Sequence, residues 1–193
     1  TGTGVSLADI NADGFLDIYV SNSGDIKGDN KQNELFINNG DLTFTEMANE
    51  YGLDDKGYST HAAFFDFDRD GDLDCYLLNN SYKGGFRITS IGKDQRPVRD
   101  EVGGDKLFEN DNGKFIDISE EAGIYGSVIG FGLGVTVGDA NNDGWMDIYV
   151  SNDFFERDYL YINNQDGTFS ENLETMIKSI SAASMGADMA DIN

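Results

Sequence analysis

The sequence predicts an all-β protein made of β-propeller blades, each with four antiparallel strands. Two observations predict it. An acidic nine-residue loop occurs three times, with its first Asp at position 9, 66 and 139, a fourth copy begins at 191, and the same order of short strand-like runs surrounds each complete copy. Recurrence of one unit at a roughly regular spacing indicates a solenoid, propeller or array. We therefore predict one partial propeller over 1–193, with blades at about 1–57, 58–129 and 130–182 and the start of another at 183–193.

The first predicted strand of each blade is a run of small and apolar residues that leads into the acidic loop. These runs lie at 2–8, 59–65, 130–138 and 184–190. The second strand follows the loop and is rich in β-branched and aromatic residues, which favour strands. The second strands are predicted at 16–20, 73–78 and 146–150.

The third and fourth strands form a predicted hairpin. Turns of Asn, Asp and Gly connect two short runs in every unit, and such turns are a strong hairpin signal. The hairpins are predicted at 34–45, 106–116 and 159–170. Four short strands per unit are typical of a propeller blade, and a propeller closes with about four to eight blades. We expect the remaining blades to come from sequence outside this chain or from another chain.

The acidic loop has the composition of a calcium site. Oxygen side chains stand at positions 1, 3 and 5, glycine at position 6 and an acid at position 9, and Ca²⁺ takes six to eight oxygens in a flexible shell. Position 7 varies freely, so we expect it to offer its backbone carbonyl. The predicted ligands are Asp9, Asn11, Asp13, Phe15 and Asp17; Asp66, Asp68, Asp70, Asp72 and Asp74; Asp139, Asn141, Asp143, Trp145 and Asp147; and, in an incomplete fourth loop, Asp191 and Asn193. One Ca²⁺ is predicted in each of the three complete loops, as a structural ion.

Two alternatives explain the acidic loops less well than a calcium site does. An EF-hand needs a bidentate Glu at position 12 and a following helix. Position 12 holds Val20, Leu77 or Val150, and each lies in a strand-like run. An Asx-rich turn without a metal is the simpler alternative, because Asp, Asn and Gly favour turns for local reasons. Turn chemistry does not require an acid at positions 1, 5 and 9 of every copy, so the repetition favours the metal.

Composition limits the classes of partner. The net charge is −23, whereas nucleic acids and anionic lipids require clustered Lys and Arg. The single cysteine, Cys75, excludes an internal disulfide and is expected to be a small buried strand residue. No apolar run approaches the roughly 18 residues that cross a bilayer. We therefore expect neither nucleic-acid binding nor a membrane span.

The repeats resemble a known family. The acidic loops, the pairs Phe131-Gly132 and Gly138-Asp139, and the run 159–169 resemble the FG-GAP/VCBS repeats of integrin α-chain propellers. The runs 59–66 and 151–158 resemble bacterial relatives of cartilage acidic protein, although the ASPIC/UnbV region of those proteins has no counterpart here. The resemblance implies a seven-bladed, calcium-bound, exported propeller at the cell surface or outside the cell. It implies a binding or adhesion scaffold for a protein or glycan ligand.

Two other features could carry function. The segment 83–106 lengthens the second unit and contains six bases, which are Lys83, Arg87, Lys93, Arg96, Arg99 and Lys106. It is either a solvated loop that folds back on the acidic body or a docking loop for a partner or an anionic glycan, since long insertions often carry function. If it is a docking loop, replacing the six bases with Gln should abolish binding.

His61 is the only histidine and stands where the other blades have Gly4, Gly134 or Gly186. A polysaccharide-active enzyme would use it with Tyr58 or an Arg of the insertion. No common catalytic motif accompanies it, so we expect a binding scaffold and not an enzyme. A structural subunit of a surface assembly or filament is a further alternative.

Overall fold

The computed structural model describes residues 2–24, 29–81, 94–154 and 156–190. These residues form three four-stranded antiparallel sheets and two four-residue helices, which confirms the predicted all-β class and its blade-like units. Neither helix is long or apolar enough to cross a membrane. Each sheet follows the order of its strands in the sequence, as expected when every strand pairs with the next one along the chain.

The strand bounds repeat closely from sheet to sheet. The first sheet contains β1 (Gly2–Ala8), β2 (Asp17–Asn22), β3 (Glu34–Asn38) and β4 (Phe44–Glu46). The second contains β5 (Ser59–Phe65), β6 (Asp74–Asn79), β7 (Lys106–Asn110) and β8 (Phe115–Asp117). The third contains β9 (Gly132–Gly138), β10 (Asp147–Asn152), β11 (Tyr159–Asn163) and β12 (Phe169–Glu171). The helices α1 (Ala48–Tyr51) and α2 (Leu173–Met176) follow β4 and β12.

The sheets pack face to face in chain order. Tyr19 and Leu35 of the first sheet contact Ala62 and Leu77 of the second sheet in one buried cluster. A second cluster joins the opposite face of the second sheet to the third sheet, through Tyr76, Leu78, Leu107, Val135, Ile148 and Val150. Full burial of one such side chain contributes about 1.5–3 kcal/mol. The two clusters therefore fix the relative positions of the sheets.

The middle sheet is covered on both sides. All six residues of β6 are buried, including Cys75, whose thiol pKa is raised by burial. The expectation of a small buried cysteine is confirmed. In contrast, Val5 and Leu7 on the outer face of β1 are each 61% exposed.

The first strands of the three sheets lie side by side. Side-chain hydroxyls join them, because Thr3 Oγ1 donates to Ser59 O at 2.5 Å and Ser6 Oγ donates to Ala62 O at 2.5 Å. Thr60 Oγ1 donates likewise to Gly132 O at 3.0 Å. Beyond β9, Thr136 Oγ1 donates to Ala187 O at 2.6 Å, so the run that precedes the fourth acidic loop lies beside the third sheet.

Candidate metal-binding loops

The three acidic loops connect the first two strands of each sheet and share one backbone geometry. Glycine at position 6 has a left-handed conformation in each, with φ of 91° at Gly14, 101° at Gly71 and 90° at Gly144. Few residues other than glycine adopt this conformation without strain. The loop therefore turns sharply at the glycine, which explains its recurrence in the sequence.

The Asp at position 1 accepts backbone N–H groups across the turn. Asp9 accepts from Asp13 at 3.0 Å and from Gly14 at 2.9 Å. Asp139 accepts from Asp143 and Gly144 in the same way, at 3.0 and 2.8 Å. In the second loop Asp66 accepts from Arg69 at 2.6 Å and from Gly71 at 3.2 Å. These bonds curve each loop around its own carboxylates.

The Asp at position 9 is buried in all three loops. Asp17 and Asp147 are fully buried and Asp74 is 1% exposed. Each accepts one backbone N–H from its own loop and another from the residue that ends the third strand. The three end residues are Asn38, Asn110 and Asn163. Position 9 thus closes the loop onto the sheet through hydrogen bonds.

The second loop brings its acids closest together. Carboxylate oxygens of Asp66, Asp68 and Asp74 all lie within 4.8 Å of one another, and the described residues contain no other such group. One Asp72 oxygen is buried without a hydrogen-bond partner among the described residues. A set of hard oxygen donors at this spacing fits Ca²⁺. The fit is good for the second loop in particular.

At position 3 the first and third loops have an Asn, whereas the second loop has an Asp. Asn11 Nδ2 donates to Asp13 Oδ2 at 2.9 Å, and Asn141 Nδ2 donates to Asp143 Oδ2 at 2.9 Å. These bonds partly neutralise the local negative charge. The residues at position 7 donate their N–H to the acid at position 5, at 2.9 Å for Phe15, 3.1 Å for Asp72 and 2.8 Å for Trp145. The predicted ligands Asp191 and Asn193 lie outside the described residues.

Mutual proximity and burial change the pKa values of these acids. Burial and the neighbouring carboxylates raise the pKa of Asp72 to about 6 and the pKa of Asp74 to about 7. Burial, with the nearby Asp70 and Asp66 charges, also raises the pKa of Asp68. In the third loop, the Trp145 backbone N–H and the Asn141 amide lower the pKa of Asp143. Keeping the acids ionised therefore costs the most free energy in the second loop, and a bound cation would reduce that free-energy cost.

The structure also locates the other candidate residues. His61 lies half-buried in β5, and burial lowers its pKa, so the imidazole is neutral at neutral pH. Its ring has no hydrogen-bond partner in the described part of the chain. Tyr58 accepts a hydrogen bond from Lys31 Nζ at 3.2 Å and contacts the same ammonium group through its ring.

The described bases of the 83–106 insertion are paired within the chain. Arg96 Nε donates to Glu156 Oε1 at 2.7 Å, and Arg99 donates to the backbone oxygens of Ile124 and Asp105. Lys106 forms an ion pair with Asp55. For these three bases the structure favours a segment that folds back on the acidic body. Lys83, Arg87 and Lys93 lie outside the described residues.

Sequence reasoning missed a polar residue that precedes the third strand of every sheet. Asn33 Nδ2 donates to Tyr19 Oη at 2.9 Å, and Tyr76 Oη donates to Asp105 Oδ2 at 2.9 Å. Tyr149 Oη donates to Asp158 Oδ2 at 2.7 Å in the third sheet. The signal was present, because Asn or Asp stands immediately before each third strand. The role is structural, since each residue braces a second-strand tyrosine.

Three comparisons relate this chain to known proteins. A sequence search of curated proteins finds no significant match. Among solved structures, a lectin from Agrocybe aegerita, described as specifically recognising non-reducing terminal N-acetylglucosamine, is similar at 17% identity and a TM-score of 0.45. The alignment covers 86% of this chain but only 37% of the lectin chain, so the chain spans little more than a third of that protein's length. A scan of protein families matches the FG-GAP-like repeat at residues 9–77, 98–150 and 139–193. These matches cover most of the sequence, and the chain belongs to the FG-GAP-like repeat family.

Proposed function

We propose that this chain is a calcium-stabilised binding scaffold, exported from the cell, whose acidic loops each hold one Ca²⁺. The observation that carries the proposal is the shared arrangement of the three loops. In each, two backbone N–H groups fix a buried position-9 carboxylate, and in the second loop two further acids bring their oxygens within 4.8 Å of it. Backbone donors that hold carboxylates in place preorganise an oxygen cage for a hard cation.

The bound ion would supply positive charge and no catalysis. In the first loop Asp9, Asn11, Asp13, the Phe15 carbonyl and Asp17 would hold it. The position-9 acids Asp17, Asp74 and Asp147 connect each loop to the end of the third strand. Calcium binding would therefore stabilise the connection between β-strands within each sheet.

The expected stabilisation is large relative to the stability of a domain. An ion present at 100 times its Kd that binds only the folded state stabilises that state by about 2.7 kcal/mol. Three such sites would contribute roughly 8 kcal/mol, compared with about 5–15 kcal/mol for the whole stability of a typical domain. On this arithmetic the chain depends on calcium for much of its stability.

We assign the binding role to surface segments carried by the rigid sheets. Loops on such a scaffold are favoured sites for binding, and membership of the FG-GAP-like repeat family supports a scaffold of this kind. The ligand would be a protein or glycan outside the cell or on its outer surface. The net charge of −23 does not suit nucleic acid.

The proposal includes further blades beside the first sheet. The outer face of the first sheet, with Val5 and Leu7 exposed, is equivalent to the faces that the second and third sheets bury against a neighbour. A blade of the same type would cover it, supplied by sequence outside this chain or by another chain. The family resemblance to a seven-bladed propeller is consistent with that arrangement.

Calorimetry and thermal unfolding test the calcium assignment. We expect about three Ca²⁺ per chain by isothermal titration, and a Tm that falls when calcium is removed and recovers when it is restored. Mg²⁺ at the same concentration should give a much smaller recovery, because it demands a tighter octahedral shell. A chain that binds no calcium at millimolar concentration, or a Tm unchanged by chelation, would refute the proposal.

A further inference from the structure

Arg69 connects the second acidic loop to the third. It occupies position 4 of the second loop, and its guanidinium lies 4.5 Å from the centre of the Trp145 ring. Its Nη2 also donates to the Gly144 carbonyl oxygen. Gly144 and Trp145 are positions 6 and 7 of the third loop. One side chain of one predicted calcium loop therefore contacts the backbone and a ring of the next.

We propose that Arg69 couples the two loops, so that a cation bound in either one raises the affinity of the other. This inference rests on the proposed calcium function and deepens it. Reciprocity follows from thermodynamics, because a coupling free energy between two sites acts equally in both directions.

The first step of the coupling lies in the second loop. The Arg69 backbone N–H donates to Asp66 Oδ1 at 2.6 Å, and Arg69 has a left-handed backbone with φ of 66°. Asp66 is a predicted ligand at position 1. A cation that fixes Asp66 therefore fixes the backbone from which the Arg69 side chain extends, and reduces the number of positions its guanidinium samples.

The second step lies in the third loop. Trp145 is predicted to ligate through its backbone carbonyl, and its N–H already donates to Asp143 Oδ1 at 2.8 Å. A guanidinium held over the ring and bonded to Gly144 O restricts this part of the loop before the cation arrives. Less conformational entropy is then lost on binding, which is how ordering at one site raises affinity at a second.

Charge opposes the coupling only weakly. The second loop has five Asp residues and the third has three, so each stays net negative after binding one divalent ion. Arg69 thus remains attracted to both filled loops. Arg69 is exposed, so its repulsion of the ions is screened over about 8 Å at physiological salt.

The neighbouring pair of loops lacks this contact and provides an internal control. Position 4 of the first loop is Ala12, which has no charge to place over its neighbour, and position 7 of the second loop is Asp72, which has no aromatic ring. The first loop should therefore bind independently of the other two.

The experiment uses Trp145 as the reporter, because it is the only tryptophan of the chain. Calcium is titrated into the full chain while Trp145 fluorescence follows the third loop and calorimetry follows all sites. The second loop is disabled by Asp68→Asn with Asp70→Asn, in chains that have Arg69 or carry Arg69→Gln. With Arg69 present, we expect loss of the second loop to raise the calcium concentration at the midpoint of the Trp145 fluorescence change about fivefold. With Arg69→Gln, we expect an increase of less than about twofold.

Two further variants serve as controls for this experiment. Asp13→Asn in the first loop should leave the Trp145 midpoint unchanged. Arg69→Lys keeps the charge but loses the planar guanidinium that stacks on the ring and donates several hydrogen bonds. The coupling is measured as the ratio of the Trp145 midpoints with the second loop disabled and intact, and Arg69→Lys should retain less than half of it. If Arg69→Gln folds poorly, Arg69→Lys still measures the contribution of the contact.

The outcomes separate the two proposals. Coupling that is absent from the wild-type chain, or that survives Arg69→Gln in full, overturns the role of Arg69 while calcium binding stands. A chain without any heat or fluorescence response to calcium overturns the calcium function and, with it, the coupling.

Discussion

The Asp17 carboxylate accepts the backbone N–H of Asn38 at 2.9 Å and so joins the acidic loop to the end of β3. Asp74 and Asn110, and Asp147 and Asn163, make the same bond at the same distance. The second carboxylate oxygen accepts an N–H from within the loop. The position-9 acid is thus a structural residue of each sheet, whether or not a cation is bound.

This double role predicts different effects for two acids of one loop. Asp147→Ala leaves the buried N–H of Asn163 and the part-buried N–H of Ala140 without acceptors, and should lower the free energy of unfolding by about 1–3 kcal/mol in chelator. Asp143→Ala, at an exposed position, should cost less than about 1 kcal/mol in chelator but should reduce the stabilisation by calcium. Urea denaturation with and without calcium measures both, and equal losses in chelator would contradict the assignment.

The raised pKa values predict how stability depends on pH without calcium. Asp74 and Asp105 have pKa values of about 7 in the folded chain, mainly because they are buried, against an ordinary value of 3.8. Between these values the folded state binds more protons than the unfolded state, so stability falls as pH rises. We expect the Tm in calcium-free buffer to decrease from pH 5 to pH 8.

Calcium should counter the part of that trend that comes from Asp74, because the cation binds the deprotonated carboxylates of the loop. The difference in Tm between calcium-saturated and calcium-free protein should therefore widen as the pH rises. Differential scanning calorimetry across the same pH range tests both statements. A calcium-free Tm that increases with pH over this interval would show that other carboxylates dominate.

Asp105 offers a more specific test, because Asn33 occupies the same place in the first sheet. Asp105→Asn keeps an oxygen for the Asn79 N–H, and its amide can donate to Tyr76 Oη as Asn33 donates to Tyr19. We expect a stability change within about 1 kcal/mol at neutral pH and a smaller decrease in Tm with pH. Asp105→Ala should cost about 2–3 kcal/mol, since it leaves buried partners unsatisfied. If both variants lose the same stability, the carboxylate charge itself is required.

Packing between the first strands can be tested at Gly4. A Cβ at this position would lie 2.3 Å from the Thr60 carbonyl oxygen, so β1 and β5 would have to separate and weaken the Thr3–Ser59 bond. We expect Gly4→Ala to lower the free energy of unfolding by about 1–3 kcal/mol. Gly2, in the same strand, would place its Cβ no closer than 3.4 Å to a neighbouring atom and is the matched control, with less than about 0.5 kcal/mol expected. Similar losses for both variants would contradict the close approach.

The sequence by itself determined the repeating unit. The strands, the hairpins and the turn at Gly14, Gly71 and Gly144 follow from local rules, because Asn, Asp and Gly set tight turns and neighbouring strands pair through short connections. The family followed from the same residues. The calcium ligands stay a prediction, although the second loop gathers its acids as the motif requires.

Only the tertiary structure decided how the repeats use their neighbours. It buried Ala62 of β5 but left Val5 of β1 exposed, although both residues stand four positions before the first Asp of an acidic loop. It paired Arg96 with Glu156 and placed Arg69 over Trp145, across separations of 60 and 76 residues. The physical reason is that such contacts depend on the distance and orientation between neighbouring sheets. The local periodicity of the sequence does not determine either quantity.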